Sequence, residues 1–196
     1  MKLTLPLILL ALVLTGLGCF GNKTEETVSS GSVEIDRGAI LLEARENGLI
    51  MSESEVAVMS SVEPTSVQGA VNVTNVEPYL KADMKGWASA ALADVTGGDS
   101  FGLAHAAFAR GVYTFVADMG NLEAPRDGYA YHGWLVNRTE PLAAVGTAAA
   151  VKTQSGYAIV FTAAEDLTAY DFFVLTLEQT AGATTPEEHI LEGSFR

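Results

Sequence analysis

Phe172-Phe173-Val174-Leu175-Thr176-Leu177-Glu178 decides the fold class. Phe173, Leu175 and Leu177 alternate with Thr176 and Glu178, and successive side chains of a strand leave on opposite faces, so this run predicts a strand with one apolar face. Working upstream, the same period-two texture recurs in short runs set off by turn residues. The runs are residues 87–95, 101–108, 112–116, 129–136, 142–151 and 157–161, with Thr96-Gly97-Gly98-Asp99 and Ser155-Gly156 among the turns. Residues 121–128, with Pro125 and an Arg-Asp-Gly turn, read as a loop. Alanine is mildly depleted in strands, so residues 103–109 also admit a helix; Gly102, Gly111 and the flanking alternation favour a strand. One helical turn is open over residues 163–168. About seven strands in roughly 110 residues predict an all-β domain, an antiparallel β-sandwich, over residues 83–196.

At the other end of the chain, Lys2 precedes an apolar run over residues 3–17 that leads to Cys19, the only cysteine. The run is short for a bilayer core of about 30 Å but suits the core of a signal peptide. Gly16-Leu17-Gly18-Cys19 resembles a bacterial lipobox, although Gly16 stands where Leu, Val or Ile is usual. The expectation is removal of residues 1–18 and a diacylglycerol on the Cys19 thiol; the alternative is a stray thiol near an ordinary cleavage site. A lone thiol gives an exported chain no disulfide. Acyl chains, at about 0.8 kcal/mol per buried CH₂, would tether the protein to the outer side of a membrane.

The chain carries 24 acidic and 11 basic side chains, a net charge of -13. That balance disfavours nucleic acid and anionic lipid as partners. Residues 19–82 are poor in aromatics, with only Phe20 and Tyr79, and rich in acidic groups, which predicts a mostly flexible linker. Two short helices are legible inside it. Asp36 caps residues 37–47 ahead of Gly48, and Ser52 with Glu55 forms a capping box before Val56, Val58 and Met59, closed by Pro64.

Tyr131-His132-Gly133-Trp134-Leu135-Val136, followed by Pro141 and Gly146, is similar to a strand and turn of the extracytoplasmic domain of anti-sigma-K factors. Thr176-Leu177-Glu178 with Gly182 and Pro186, then Ile190-Leu191-Glu192-Gly193, resembles that family's closing pattern, and residues 111–116 and 122–127 fall where it places a strand and a Pro-bearing loop. The resemblance covers residues 86–195. Departures are Gly133 where the family prefers Leu, Gln179 where it has Pro, and Ala181 for one Gly. The resemblance implies the β fold, an extracytoplasmic location and a role in sensing or contact. It does not carry over sigma-factor inhibition, because residues 20–82 follow an export signal and lack the Cys and His ligands of the sigma-binding part.

Chemistry is sparse. A blue-copper site needs two His and a Cys, and the single thiol lies far from the strands. His105, His132 and His189 are the only imidazoles; His132 reads as a surface or edge residue, and His189, after Glu187 and Glu188, as part of a solvated terminal loop. No Gly-x-Ser-x-Gly elbow occurs, and the pairs Glu165-Asp166 and Glu187-Glu188 sit in turn-like sequence that promises no pocket. Trp134 reads as core, and Trp87 as core or platform. The sequons at Asn22, Asn72 and Asn137 carry little weight in a prokaryotic lipoprotein. The expected function is therefore a non-catalytic binding or sensory module without metal or cofactor, with Trp87, Tyr131 and His132 as candidate ligand contacts and an envelope protein or small ligand as partner. The alternative is a structural or adhesion domain that pairs through exposed sheet edges.

Overall fold

Every run that alternates in the sequence becomes a strand. The structure, a computed structural model, describes residues 36–180 and 185–196, so the expected export signal and Cys19 lie outside the described residues. In chain order the helices are α1 (Arg37–Glu46), α2 (Glu53–Met59) and α3 (Glu77–Leu80). The strands are β1 (Val71–Asn72), β2 (Ala88–Asp94), β3 (Phe101–Ala109), β4 (Val112–Gly120), β5 (Tyr129–Asn137), β6 (Ala143–Ala149), β7 (Val151–Lys152), β8 (Tyr157–Ala163), β9 (Phe172–Gln179) and β10 (Glu188–Ser194). Residues 103–109 are strand, and residues 163–168 form no helical turn. The sequence reading lacked β1, β7 and β10.

The class is all-β and antiparallel as expected, but the two sheets of the expected sandwich are one. Ten strands form a single sheet in the order β1-β8-β4-β3-β2-β10-β9-β5-β6, with β7 also on β8. The sheet rolls back on itself because the chain changes partner after β6. Ala143 to Ala149 run along β5; the Ala150 N–H then donates to the Tyr131 carbonyl at 2.8 Å, and Val151 and Lys152 pair with Ala158 and Tyr157 of β8. That closes one end of the seam. At the other end residues 65–73 fill the gap: the Thr65 N–H donates to Ala144 O at 2.8 Å, Val71 and Asn72 pair with Thr162 and Phe161, and the Val73 N–H donates to Val160 O at 3.0 Å. Closure of this kind satisfies backbone groups that an open edge would leave bare.

The interior is the apolar face of the opening heptapeptide and its counterparts. Phe173 and Leu175 on β9 and Phe115 on β4 are fully buried, and the Phe115 and Phe173 rings lie 4.8 Å apart across the barrel. Leu135, Ile159 and Phe161 complete the same cluster. Each such side chain contributes roughly 1.5–3 kcal/mol by leaving water.

Within residues 19–82, expected to be linker, residues 51–62 and 73–80 pack on the sheet. Both short helices form as read: Asp36 Oδ1 accepts from Ala39 N at 3.0 Å, and the Ser52–Glu55 capping box is complete. Few aromatics did not prevent burial, because methionine and aliphatic side chains found an apolar partner on the outer face of the sheet. Met51 and Met59 pack on Trp134, Val136, Phe172 and Val174. Farther along, Val76, with Tyr79 and Leu80, covers Val116, Ala158 and Val160 on the opposite side of the barrel. Marginal as free helices, α2 and α3 are held by tertiary contact.

A candidate binding site on the outer face

Across β5, β9 and β10 the register aligns His132 with Thr176 and Thr176 with His189, and aligns Trp134 with Val174 and Val174 with Glu192. Directly paired residues share a face, so these side chains and Glu178 form one outer surface, and the segment from Gly48 to Met59 covers its Trp134, Val174 and Glu192 part. We call this segment the strap. It is fastened by Arg138, whose Nε lies 2.7 Å from Glu55 Oε1 and whose Nη1 donates to the Gly48 carbonyl at 2.9 Å. Partial burial of Glu55 works against its charge, but Arg138 and the Ser52 donors outweigh that and hold its carboxyl below the usual range.

On this surface the sheet buries two carboxyl groups, each beside a histidine. Glu178 Oε1 accepts from Trp134 Nε1 at 2.7 Å and from the Thr176 hydroxyl at 2.6 Å, while its Oε2 lies 3.4 Å from His132 Nδ1. The His132 ring stacks on Trp134 at 5.4 Å. Glu192 Oε2 accepts from the Met51 N–H at 2.6 Å, and its Oε1 lies 2.6 Å from His189 Nδ1. Glu178 is 4% exposed and Glu192 2%, so these are desolvated, hydrogen-bonded carboxyl groups rather than surface ones.

His132 alone of the two histidines meets open space. It and Trp134 border a groove of 580 Å³ in the seam between residues 64–72 and β6, where Thr65, Ser66 and Asn72 supply the polar rim. That volume is in the range of small-ligand sites, and the rim carries hydroxyl, amide and imidazole groups. A larger cleft of 690 Å³ lies beside α2, but its cation, Arg138, is already engaged by Glu55 and Gly48.

Burial pushes the His132 imidazole below its ordinary value, and the nearby Glu178 charge only partly counters this. The neutral ring is thus the form that the fold favours. The stability it contributes is present above an unfolded value of about 6.5 and is lost as the pH falls through the lower folded value. In an NMR titration the His132 ring protons should move at a midpoint below that of a free histidine, and His132→Asn should flatten the acid side of the stability profile by that contribution. A midpoint above about 6.5 would contradict this account.

The three candidate contacts do not converge. Tyr131 and His132 are consecutive in β5, so they leave on opposite faces. Tyr131 points into the barrel, edge-on to Tyr157 at 5.3 Å, with its hydroxyl donating to Glu123 O at 3.1 Å. Trp87 is half-buried against Val76, Val116, Ala158 and Val160 on the far side. Only His132 reaches the groove, in the company of Trp134. His189 also departs from expectation, being buried in β10 rather than solvated, whereas Glu187 and Glu188 are exposed as read. Thr176, Glu178, His189 and Glu192 were not read as site residues; the alternation that placed Thr176 and Glu178 opposite Phe173 was the available signal. Among the described residues no group of three or more His, Cys, Asp or Glu is arranged to hold a metal ion, and no helix is long and apolar enough to cross a membrane. Comparison with protein-family models, with curated proteins and with solved structures gives no match for this chain.

Proposed function

We propose that this chain is an exported, lipid-anchored binding or sensory module, non-catalytic, whose β body is similar to the outer domain of anti-sigma-K factors and does not itself bind a sigma factor. Cys19 is the anchor, and the barrel stands on the extracytoplasmic side. The observation that carries the binding role is the seam groove, where the His132–Trp134 stack is fixed from behind by Glu178 and Thr176. A side chain locked in this way presents a prepared surface, which lowers the entropy lost when something binds. Edge pairing, the competing role, is less favoured because residues 65–73 bond to both sides of the seam.

Two measurements test this reading. The full chain, expressed in a lipoprotein-processing bacterium with labelled palmitate, should sediment with membranes and carry label, and Cys19→Ser should abolish the label and release the protein. Recovery of unprocessed chain in the cytosol would overturn the anchored reading. For the binding role, a photo-crosslinking residue at Ser66 in the groove should give a discrete adduct on intact cells. The same residue at exposed Asp127 should not; equal labelling, or none at Ser66, would remove the groove from consideration.

A further inference from the structure

We propose that His189 and Glu192 form a proton-operated latch that holds the strap closed and releases it in acid. As a sensory device this rests on the reading of an exported module; as a structural device it rests on the geometry alone.

The latch joins two parts of the chain that are distant in sequence. Glu192 on β10 takes the Met51 N–H from the strap at 2.6 Å, and that bond sits beside the buried Met51 and Ile50 side chains. Its other oxygen faces His189 Nδ1 at 2.6 Å, and the remaining ring nitrogen, His189 Nε2, is buried without a hydrogen-bond partner among the described residues. Hydrogen-bond accounting then selects one protonation state. With Glu192 ionised and His189 neutral, the Nδ1–H and the Met51 N–H each meet a carboxylate oxygen, and Nε2 is a bare lone pair.

Either proton added to this arrangement spoils it. On Glu192 it removes the charge that strengthens both bonds and sets an O–H donor against N–H donors. On His189 it places an Nε2–H in a dry site with no acceptor. The remaining charged groups on this surface do not substitute for the latch. From the strap, Glu55 is paired with Arg138 and Glu53 is exposed; α1 offers only the exposed Arg37, Glu43 and Glu46 and the half-buried Arg45. From β9 and β5, Glu178 is engaged by Trp134 and Thr176 with His132 beside it; β10 adds the exposed Glu188, and the outer positions of β2 beside the latch, Ser89, Ala91 and Ala93, carry no charge. Release of the strap would uncover the apolar surface of Trp134, Phe172 and Val174 that Met51 and Met59 now cover, a surface able to receive a different partner in acid.

Hydrogen exchange on the purified chain tests the latch. Corrected for intrinsic rates, protection of the amides of residues 50–59 should fall at least about tenfold between about pH 7 and about pH 4.5, with β4 and β9 still protected. In a Trp87→Phe background, Trp134 emission should shift to the red over the same range and return on neutralisation. The double variant Glu192→Gln, His189→Phe keeps an acceptor for the Met51 N–H but removes both groups that take a proton, so its strap protection, corrected for intrinsic rates, should not change over the same range. If the double variant does not fold, Glu192→Gln and His189→Phe made singly should each lose part of the acid response, since each removes one of the two groups that take a proton. Strap protection that is constant with pH in the unaltered chain, or an acid response that survives in the double variant or is undiminished in either single one, would overturn the latch. Neither result bears on the anchor, which the palmitate measurement decides independently.

Discussion

Truncating Phe173 to alanine will lower the stability of the purified chain by about 3–5 kcal/mol, read as a shift of the urea midpoint at unchanged slope. The ring is fully buried, lies 4.8 Å from that of Phe115, and belongs to the interior cluster shared by both arms of the rolled sheet. Two costs add: the lost transfer of an aromatic ring out of water, and a cavity that the hydrogen-bonded strands around it cannot collapse to fill. Since domains of this size have roughly 5–15 kcal/mol to lose, the single change removes a third or more of the total in most of that range. Phe101→Ala is the control, because Phe101 is 57% exposed on β3 and its truncation should stay within about 0.5 kcal/mol. A loss below about 1 kcal/mol at Phe173 would mean that the barrel interior is not closed as described.

The contrast between Phe173 and Glu192 shows where the sequence was legible. β9 obeys strict alternation, so its inner and outer faces could be assigned residue by residue, and the placement of Phe173 and Leu175 on one side and of Val174 and Thr176 on the other follows from it. β10 does not. Its register against β9 slips by one between His189 and Leu191, an extra residue in the strand, so His189 and Glu192 share a face at a spacing of three. A period-two reading puts them on opposite sides and makes the segment look like a polar loop. The strap was illegible for a different reason. Its helix caps could be read from Asp36, Ser52 and Glu55, but nothing local says that Met51 and Met59 will find Trp134 and Val174, which lie far along the chain. The groove inherits both difficulties, since it lies between a segment read as linker and a strand, β6, whose own register is irregular opposite Gly133.

Gly133 brings these threads to one atom, and Gly133→Leu should cost on the order of 4 kcal/mol or prevent folding. A Cβ added there would lie 2.6 Å from Thr147 Oγ1, 2.7 Å from Ile159 Cδ1 and 2.9 Å from Phe173 Cε2, before any further leucine atom is placed. The clash has a structural origin: Val145, two residues before Thr147 on β6, faces the interior, so alternation also turns the buried Thr147 inward, where its hydroxyl donates to Gly133 O at 2.9 Å. Replacing glycine usually gains about 0.4–1 kcal/mol by restricting the unfolded chain, too little to offset overpacking of about 1–3 kcal/mol even for alanine. Gly133→Ala should therefore destabilise too, by less than Gly133→Leu. The decisive measurement pairs this site with the first. Removing the Phe173 ring opens space beside the same Cβ, so the double variant Gly133→Leu, Phe173→Ala should be more stable than the sum of its parts predicts, by more than about 1 kcal/mol in a double-mutant cycle. Simple additivity would show that the leucine is not directed into the barrel interior. It would also remove this explanation of why glycine stands where the resembling family prefers leucine.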